Sequence, residues 1–412
     1  MKMLNISLVM LLILIFTGCK KEDETPNHTP KAIHLTAKAP EVINNNNAFG
    51  IELFTKVAME EDGNMMLSPL SASVALTMVL NGSGGNTYAQ LKETLKFPDE
   101  LKIAEINEAY KSLVAQLLAA DPKVKIALAN ALFYRLGFEI KPPYMATMSN
   151  DFDAKIQGLD FSLPSALTNI NQWASDNTYG KIPKVLDEIS DDAVMFLMNA
   201  LYFKGDWSYQ FDKSKTEPRP FYISGENSIN VSTMVGEVGA KIAYGNGFSA
   251  IEMPYGQTNF TMVVVVPTMN LNDFYAGFDA KAWNDIIFSI DGNSDFSTTV
   301  VYMPKFTFSY ETQLNNQLMV MGMVDAFVPF VADFSGISDS SIFIKFVKQN
   351  TFVDVNEEGT EAAAVTTVGF VNTSIEPNTP PVFTIDRPFI FAIRERTTNT
   401  LMFIGKIENP QG

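Results

Sequence analysis

All thiol and imidazole groups of this chain lie in its first 34 residues, at Cys19, His28 and His34. Residues 35–412 contain no cysteine and no histidine. Disulfide bonds need two cysteines and structural zinc sites need Cys or His ligands, so neither can hold the fold together. Catalysis by a Ser-His-Asp or Cys-His arrangement is excluded there too, because it needs an imidazole base near neutral pH. An apolar core must therefore stabilise the folded chain.

The composition supplies such a core. Of the 412 residues, 46% are hydrophobic and only 18% are charged, which excludes disorder for the bulk of the chain. This length suits one large domain or two ordinary ones. The formal net charge of -16 excludes a nucleic-acid partner, because an acidic surface repels phosphates instead of releasing their counterions.

Residues 1–18 have the pattern of an export signal peptide. Lys2 gives a positive start, and residues 8–16 are an unbroken apolar run, shorter than the roughly 20 residues that a bilayer span requires. The run ends in Phe16-Thr17-Gly18-Cys19, which resembles the bacterial lipobox, whose cysteine receives a lipid after cleavage. An ordinary signal peptide with a chance cysteine is the alternative.

A lipid on Cys19 would anchor the chain to a membrane, since acyl chains bury their CH₂ groups in the bilayer. The charged residues 20–24 resemble the export tag of surface lipoproteins in some Gram-negative bacteria, although a solvated linker has the same composition. These features predict an outer-membrane lipoprotein at the cell surface or in the periplasm. We predict a polar tether over residues 19–47, in which His28 and His34 are solvated, and a folded domain over 48–412.

The order of apolar patterns within the folded part predicts an α+β domain. Helical spacing covers residues 48–60 with Asn47 as N-cap, 71–80 opened by Ser68-Pro69, 87–95, and 101–118. Four β-rich runs follow, over residues 125–134, 193–203, 259–267 and 298–308. Several are apolar on both faces, as expected of central strands in a covered sheet.

The segment after residue 359 is unusual. A strand over 352–355 should end at Asn356-Glu357-Glu358-Gly359, and the segment up to Pro388 is then longer than most loops of compact domains, which indicates function or disorder. Under strand alternation, one face carries only small or β-branched uncharged residues. They are Thr360, Ala362, Ala364, Thr366 and Val368. Glu361 points the other way, so this segment could enter a core without burying a charge; an Ala/Thr-rich linker is the alternative.

The run Glu357-Glu358-Gly359-Thr360-Glu361-Ala362-Ala363-Ala364 resembles the hinge of the reactive loop in the serpin family. Ordered resemblances cover the chain from about residue 48 to 410: NMMLSPLS (64–71), LANALF (128–133), GKI (180–182), NALYFKGDW (199–207), MPKF (303–306), ADFSG (332–336), DRPF (386–389) and FIGK (403–406). The resemblance implies a monomeric α+β fold of three β-sheets and about nine helices, with an exposed reactive loop over about residues 357–381.

The resemblance also implies a function. Inhibitors of the family present the loop as bait, and after attack the loop inserts as a new strand while the protease is still bound as an acyl-enzyme. The implied hinge runs from Glu357 through Gly359, Thr360, Glu361, Ala362, Ala363 and Ala364 to Val365. The family's usual spacing from the hinge glycine gives Thr373-Ser374 as the reactive bond, with Phe370, Val371 and Asn372 as subsite residues.

The composition of the loop limits the classes of protease that could attack it. No Lys or Arg lies between Gly359 and Asp386, which argues against trypsin-like enzymes. A Thr before the bond suits elastase-like, subtilisin-like or papain-like proteases, and a slipped register at Phe370-Val371 would suit a chymotrypsin-like one. A non-inhibitory serpin acting as carrier or decoy substrate is the alternative. An enzyme is a third possibility, but the sequence offers no base, metal site or phosphate loop for one.

Two further sites follow from the resemblance. The family's shutter, where its main sheet opens, corresponds to Ser68, Ser71, Asn199 and Gln349, and Gln349 replaces the histidine usual there. At the breach, the top of the same sheet, Lys305 and Glu357 correspond to an ion pair near Trp207. Some members bind a polyanion cofactor on a basic helix, but residues 91–125 contain only scattered lysines, so we expect no cofactor.

Overall fold

The computed structural model describes residues 29–292, 296–360 and 379–411. These ranges contain nine α-helices: α1 (Ala39–Glu60), α2 (Pro69–Leu80), α3 (Gly85–Thr94), α4 (Ile103–Leu118), α5 (Pro142–Phe152), α6 (Pro164–Asn177), α7 (Leu271–Tyr275), α8 (Ala280–Asp291) and α9 (Asn315–Val320). The strands are β1 (Met65–Leu67), β2 (Val124–Arg135), β3 (Lys155–Leu159), β4 (Met195–Asp206), β5 (Glu217–Ser224), β6 (Asn227–Gly245), β7 (Phe248–Tyr255), β8 (Phe260–Pro267), β9 (Ser297–Pro304), β10 (Phe306–Gln313), β11 (Lys348–Val355), β12 (Gly359–Thr360), β13 (Val382–Thr384), β14 (Phe389–Glu395) and β15 (Thr400–Ile407).

A six-stranded sheet has the order β10-β11-β12-β4-β2-β3. Its longest pairing joins β2 and β4 in antiparallel register from Val124–Gly205 to Tyr134–Met195. On its other side, β10 and β11 pair along their whole lengths. The two halves of the sheet are linked by β12, which is only two residues long.

The other strands form two sheets that share β6. Residues 233–240 of β6 pair with β9, while residues 241–245 pair with β7. The remaining order is β1-β15-β14-β8-β7 on one side and β9-β13 on the other, with β5 along the first part of β6. The expected α+β fold with three sheets and about nine helices is confirmed in the described residues.

The central strands are buried on both faces, as their continuous apolar sequences predict. Every residue of β8, β14 and β15 is buried. One large core packs these strands against α1 and α2, and a smaller core packs α6 on the outer face of the six-stranded sheet. The six-stranded sheet therefore has protein on both faces.

The first helix begins earlier than its sequence pattern indicates. It starts at Ala39 with Pro40 in its first turn, and Asn46 and Asn47 are buried inside it. The Asn47 amide donates to the carbonyl oxygen of Asn399 at 2.7 Å and accepts from the N–H of Leu401 at 3.0 Å. The predicted start at residue 48 with Asn47 as N-cap is wrong, and residues 31–47 belong to the fold and not to the tether.

The run over residues 298–308 is not one strand. It divides at Lys305 into β9 and β10, which lie in different sheets. Pro304 has no N–H for a further ladder bond, and the N–H of Lys305 donates to the carbonyl oxygen of Ser232 at 2.9 Å. Lys305 is therefore the point where the chain crosses between sheets.

Within the described ranges, no helix is both long and apolar enough to cross a membrane.

Candidate functional site

A tight turn at residues 356–359 delivers the chain from β11 to β12. The N–H groups of Asn356 and Gly359 each donate to the other residue's carbonyl oxygen, at 2.9 and 3.2 Å. Only glycine fits at position 359, because a Cβ there would lie 2.1 Å from the carbonyl oxygen of Gly205. The sequence therefore brings the backbone of Gly359 directly against the end of β4.

The short strand β12 lies between two long strands. Gly359 and Thr360 pair with Asp206 and Gly205 of β4, and Thr360 also pairs with Val355 of β11. Both pairings are antiparallel, so a continuation of β12 would run between β4 and β11 toward their N-terminal ends. The hydroxyl of Thr360 is buried and is hydrogen-bonded to the hydroxyl of Tyr255 at 2.6 Å.

Two acidic side chains of the turn are paired with lysines. The Glu357 carboxylate lies 2.9 Å from Lys305 Nζ and accepts from the Thr216 hydroxyl at 2.7 Å. Burial alone would raise the pKa of Glu357, but these hydrogen bonds outweigh burial and leave the pKa below its ordinary value. Glu358 forms an ion pair with the exposed Lys213. The turn is thus held from two directions by opposite charges.

An aromatic pair supports the same turn. The Trp207 ring stacks on Tyr255 with centroids 4.3 Å apart and planes 10° from parallel. Trp207 Nε1 donates to the carbonyl oxygen of Asn356 at 2.9 Å, and its backbone N–H donates to that of Glu358 at 2.8 Å. The structure therefore brings Trp207, Lys305 and Glu357 together at one end of the six-stranded sheet.

Beyond β12, the space between β4 and β11 contains a cavity of about 480 Å³. Its walls include residues 193–201 at the start of β4 and residues 341–351 leading into β11. Trp173, Ile182 and Leu186, from α6 and the segment after it, also line this cavity. Among the described residues, the space between these two strands is therefore filled at the hinge end and unfilled toward its other end.

The four predicted shutter residues meet at this cavity. Gln349 recognises both backbone groups of Ser68: its Oε1 accepts from the N–H at 2.9 Å, and its Nε2 donates to the carbonyl oxygen at 3.0 Å. The Ser71 hydroxyl donates to Asn199, whose amide donates to Asn130 Oδ1 at 2.6 Å. Side-chain amides therefore connect α2 to both β4 and β11.

The other predicted site residues lie outside the described residues. They are the lipidation site Cys19, the hinge residues Glu361, Ala362, Ala363, Ala364 and Val365, the subsite residues Phe370, Val371 and Asn372, and the reactive bond Thr373-Ser374. Among the described residues, no three His, Cys, Asp or Glu side chains are grouped so that they could hold a metal ion.

Sequence reasoning missed four residues that hold the site. Tyr255 and Thr216 contact the hinge, Lys213 pairs with Glu358, and Asn130 extends the shutter amides. Asn130 lies directly opposite Asn199 in the register of β2 and β4. Two asparagines within runs of apolar strand residues were the signal that could have revealed this pair. The other three residues carry no local signal, because their partners are distant in sequence.

Comparisons with known proteins agree with this architecture. The sequence model of the family described as "Serpin (serine protease inhibitor)" matches residues 44–410. An uncharacterized serpin-like protein of Methanosarcina acetivorans is 33% identical over 98% of this chain and 97% of its own. The leukocyte elastase inhibitor of Xenopus laevis is 32% identical over 88% of this chain and 97% of its own.

A solved structure of a member of this family has the same fold. The native state of Tengpin, a thermophilic serpin, superposes with a TM-score of 0.80 at 28% identity, covering 92% of this chain and 97% of Tengpin. Proteins of this family are commonly protease inhibitors rather than enzymes. With the family model spanning most of its length and its fold matching a known member, the chain belongs to the serpin family.

Proposed function

We propose that this serpin is an irreversible inhibitor of serine proteases that traps its target by inserting the segment after Thr360 between β4 and β11. One observation carries the proposal. Gly359 and Thr360 already pair with one or both of these strands at one end, and a cavity lies between the strands further along. Adding a strand there would satisfy backbone groups and fill apolar space.

Extending the register of β12 assigns a face to each hinge residue. Thr360 lies opposite Gly205 and Val355, so Ala362 would lie opposite Phe203 and Val353, both of which are buried. Small side chains at 360, 362 and 364 would therefore enter the core without overpacking it. Glu361 would lie on the outer face, opposite Lys204.

Insertion on this scale can disable a protease. From residue 357 to residue 373 a strand at about 3.3 Å per residue would be roughly 55 Å long. Carrying an acyl-enzyme over that distance would distort its active site before deacylation. The starting state must then be held by a kinetic barrier, because the inserted state is the more stable one.

We propose Thr373-Ser374 as the reactive bond, with elastase-like or subtilisin-like serine proteases as targets and papain-like cysteine proteases as a further class. The support is the small residue before the bond and the absence of Lys and Arg from residues 360–385. Relatives named leukocyte elastase inhibitor, in Xenopus laevis and in Mus musculus, are in keeping with this specificity.

We also propose that Cys19 carries a lipid that anchors the protein to the outer membrane. The support is the sequence pattern of residues 1–19. Metabolic labelling with a fatty acid should mark the wild type and not Cys19→Ser. Labelling of both proteins would exclude lipidation at this cysteine.

A denaturing gel tests the inhibitory mechanism. Incubation with elastase or subtilisin should give a covalent complex that survives denaturant, and mass spectrometry should place the cut after Thr373. Ala362→Arg should be cleaved without forming a complex, because its charge would enter the core. Glu361→Arg is the matched control, since residue 361 would lie opposite Lys204 and Asp354, neither of which is buried. Cleavage without any complex in the wild type would favour the carrier or decoy alternative.

A further inference from the structure

The N-terminal part of the chain joins the fold at the hinge end of the six-stranded sheet, the end where β12 lies. Lys31 donates its N–H to Asn259 Oδ1 at 2.7 Å and accepts at its carbonyl oxygen from Asn259 Nδ2 at 2.8 Å. Asn259 belongs to the turn between β7 and β8, whose Gly256 N–H donates at 2.9 Å to the carbonyl oxygen of Asp206, the last residue of β4. The chain therefore enters the folded domain beside the hinge.

The number of residues after Cys19 limits how far a lipid there could lie from this entry point. Thr29, the first described residue, follows Cys19 by ten residues. Ten residues span at most about 35 Å, even at full extension. A lipid on Cys19 would therefore keep the hinge end within that distance of the membrane surface.

The far end of the sheet lies beyond this reach. Strand β2 begins at the hinge end, where Val124 lies opposite Gly205, and it ends at Arg135. Its 12 residues span about 40 Å at 3.3 Å per residue. A molecule standing with its far end on the membrane would need a longer connection to Cys19. An upright molecule can therefore place only its hinge end next to the lipid.

The charges around the entry point also suit a lipid surface. Lys31 and Lys123 are exposed on either side of the turn between β7 and β8. The Asp121 carboxylate accepts from the N–H groups of Lys123 and Gln257, at 2.9 and 2.5 Å, but it is buried, and Asp206 is half-buried. Lysines close to a bilayer are attracted to anionic headgroups, whereas a chain with a formal net charge of -16 is repelled elsewhere on its surface.

We propose that the hinge end of this protein faces the membrane, with the turn between β7 and β8 and its two flanking lysines turned toward the lipid headgroups. The orientation rests on the lipid anchor proposed at Cys19, and it does not depend on protease inhibition. It makes this surface a contact with anionic lipid in addition to the anchor itself.

The orientation has a consequence that does rest on the proposed inhibitory function. Thr360 pairs with Gly205, so the same register would place residue 373 opposite Asp192, before the start of β4 at the far end of the sheet. Insertion of the loop would therefore carry a bound protease away from the membrane.

Site-specific labelling measures the orientation directly. Cys19 is the only cysteine of the chain and would carry the lipid, so one introduced cysteine would carry the only dye. Pro122→Cys and Leu136→Cys place that dye at exposed positions just before and just after β2. The lipidated full-length chain is added to vesicles of phosphatidylethanolamine and phosphatidylglycerol whose outer headgroups carry an acceptor dye. Energy transfer from residue 122 should be about twofold or more as efficient as transfer from residue 136.

A longer connection to the anchor is the matched control. Twenty Gly and Ser residues inserted after Glu24 would raise the limit of reach to about 105 Å, so the difference between the two labels should shrink. Equal transfer from both labels in the protein of natural length would show that the molecule lies flat. Greater transfer from residue 136 would place the far end on the membrane, and either result would overturn the orientation.

The test also separates this orientation from the two proposals made above. A chain that does not float with the vesicles would overturn the lipid anchor and the orientation together. Absence of a covalent complex would overturn the inhibitory function and leave the transfer efficiencies unchanged. In a complex that does form, a dye on the trapped protease should transfer no more efficiently than the label at residue 136.

Discussion

The two ends of the strand pair β4 and β11 differ in what lies between them. At their C-terminal ends, β12, two ion pairs and the stacked Trp207–Tyr255 rings fill the space. Toward their N-terminal ends, the strands border a cavity of about 480 Å³, with Gln349 and Asn199 bonded across to α2. In the proposed mechanism the filled end positions an entering strand, and among the described residues the unfilled end leaves apolar contacts unmade.

This difference assigns separate roles to the two ends. Atoms that face a void lack dispersion partners, so the sheet gains contacts when a strand fills it. At the hinge end, Gly359 and Thr360 are already paired with β4, and Thr360 also with β11. A strand that entered from there would therefore start in a fixed register. In the proposed mechanism, the amides of the shutter hold the middle of the sheet until that strand arrives. The predictions below separate these roles, beginning with the largest effect.

Gly359→Ala should disrupt the filled end most strongly. Its Cβ would lie 2.1 Å from the carbonyl oxygen of Gly205, so β12 would have to leave its place between the strands. We expect a cost of about 1–3 kcal/mol from the backbone alone and about a tenfold slower formation of protease complexes. Urea unfolding and gel kinetics measure the two effects.

A glycine elsewhere provides the control for this substitution. Gly63 has a φ of 78°, but a Cβ there would meet no atom within 4 Å. Gly63→Ala should therefore cost only about 1 kcal/mol of local strain, with no change in complex formation. Equal effects of the two variants would mean that the contact between Gly359 and β4 has no special role.

Asn199→Ala should weaken the shutter. It removes the acceptor of the Ser71 hydroxyl and the donor to Asn130, and leaves two buried polar side chains without these partners. We expect a loss of about 1–3 kcal/mol in the first urea transition and faster spontaneous insertion. Asn86→Ala, which removes an exposed contact with Asp325, should change stability by less than about 0.5 kcal/mol. A stable Asn199→Ala protein would contradict a holding role for these amides.

The ion pair at Glu357 should make the hinge sensitive to acid. Because its folded pKa lies below the ordinary 4.5, the carboxylate stabilises the hinge fully above about pH 4.5, and this contribution is lost as pH falls through the folded pKa. Hydrogen exchange at Thr360, corrected for its intrinsic pH dependence, should therefore rise in acid in the wild type. In Glu357→Gln the acid-dependent part should disappear. An identical pH profile in both proteins would exclude Glu357 as its origin.

The parts of this fold that follow local rules were predictable from sequence. Helix α2 runs over Pro69–Leu80 because Ser68 caps it and Pro69 fits its first turn, both visible in the sequence. Strands β2 and β8 lie within one residue of their predicted bounds, and β8 was recognisable because a continuous apolar run identifies a covered strand. The positions of the shutter and breach residues followed from family resemblance.

What could not be predicted depends on partners far along the chain. Asn47 lies within a polar run, and only the approach of Leu401 shows why it is buried in a helix. The contact of Tyr255 with Thr360 joins residues more than one hundred positions apart. Nothing local in either segment indicates such a contact. These long-range contacts include those that connect the hinge to the rest of the molecule.

The smallest effect concerns the shutter at neutral pH. Gln349 binds the N–H and the carbonyl oxygen of Ser68 with an amide that has no titrating proton, and we expect insertion rates to be flat between about pH 6 and 7. Gln349→His would replace it with an imidazole that can accept from Ser68 N–H only when neutral. Its folded pKa should then fall below about 6.5, so its stabilisation is present above that pH and is lost as pH falls. Insertion should accelerate in acid only in this variant; a titration near pH 6–7 in the wild type would show that another group controls the opening of the sheet.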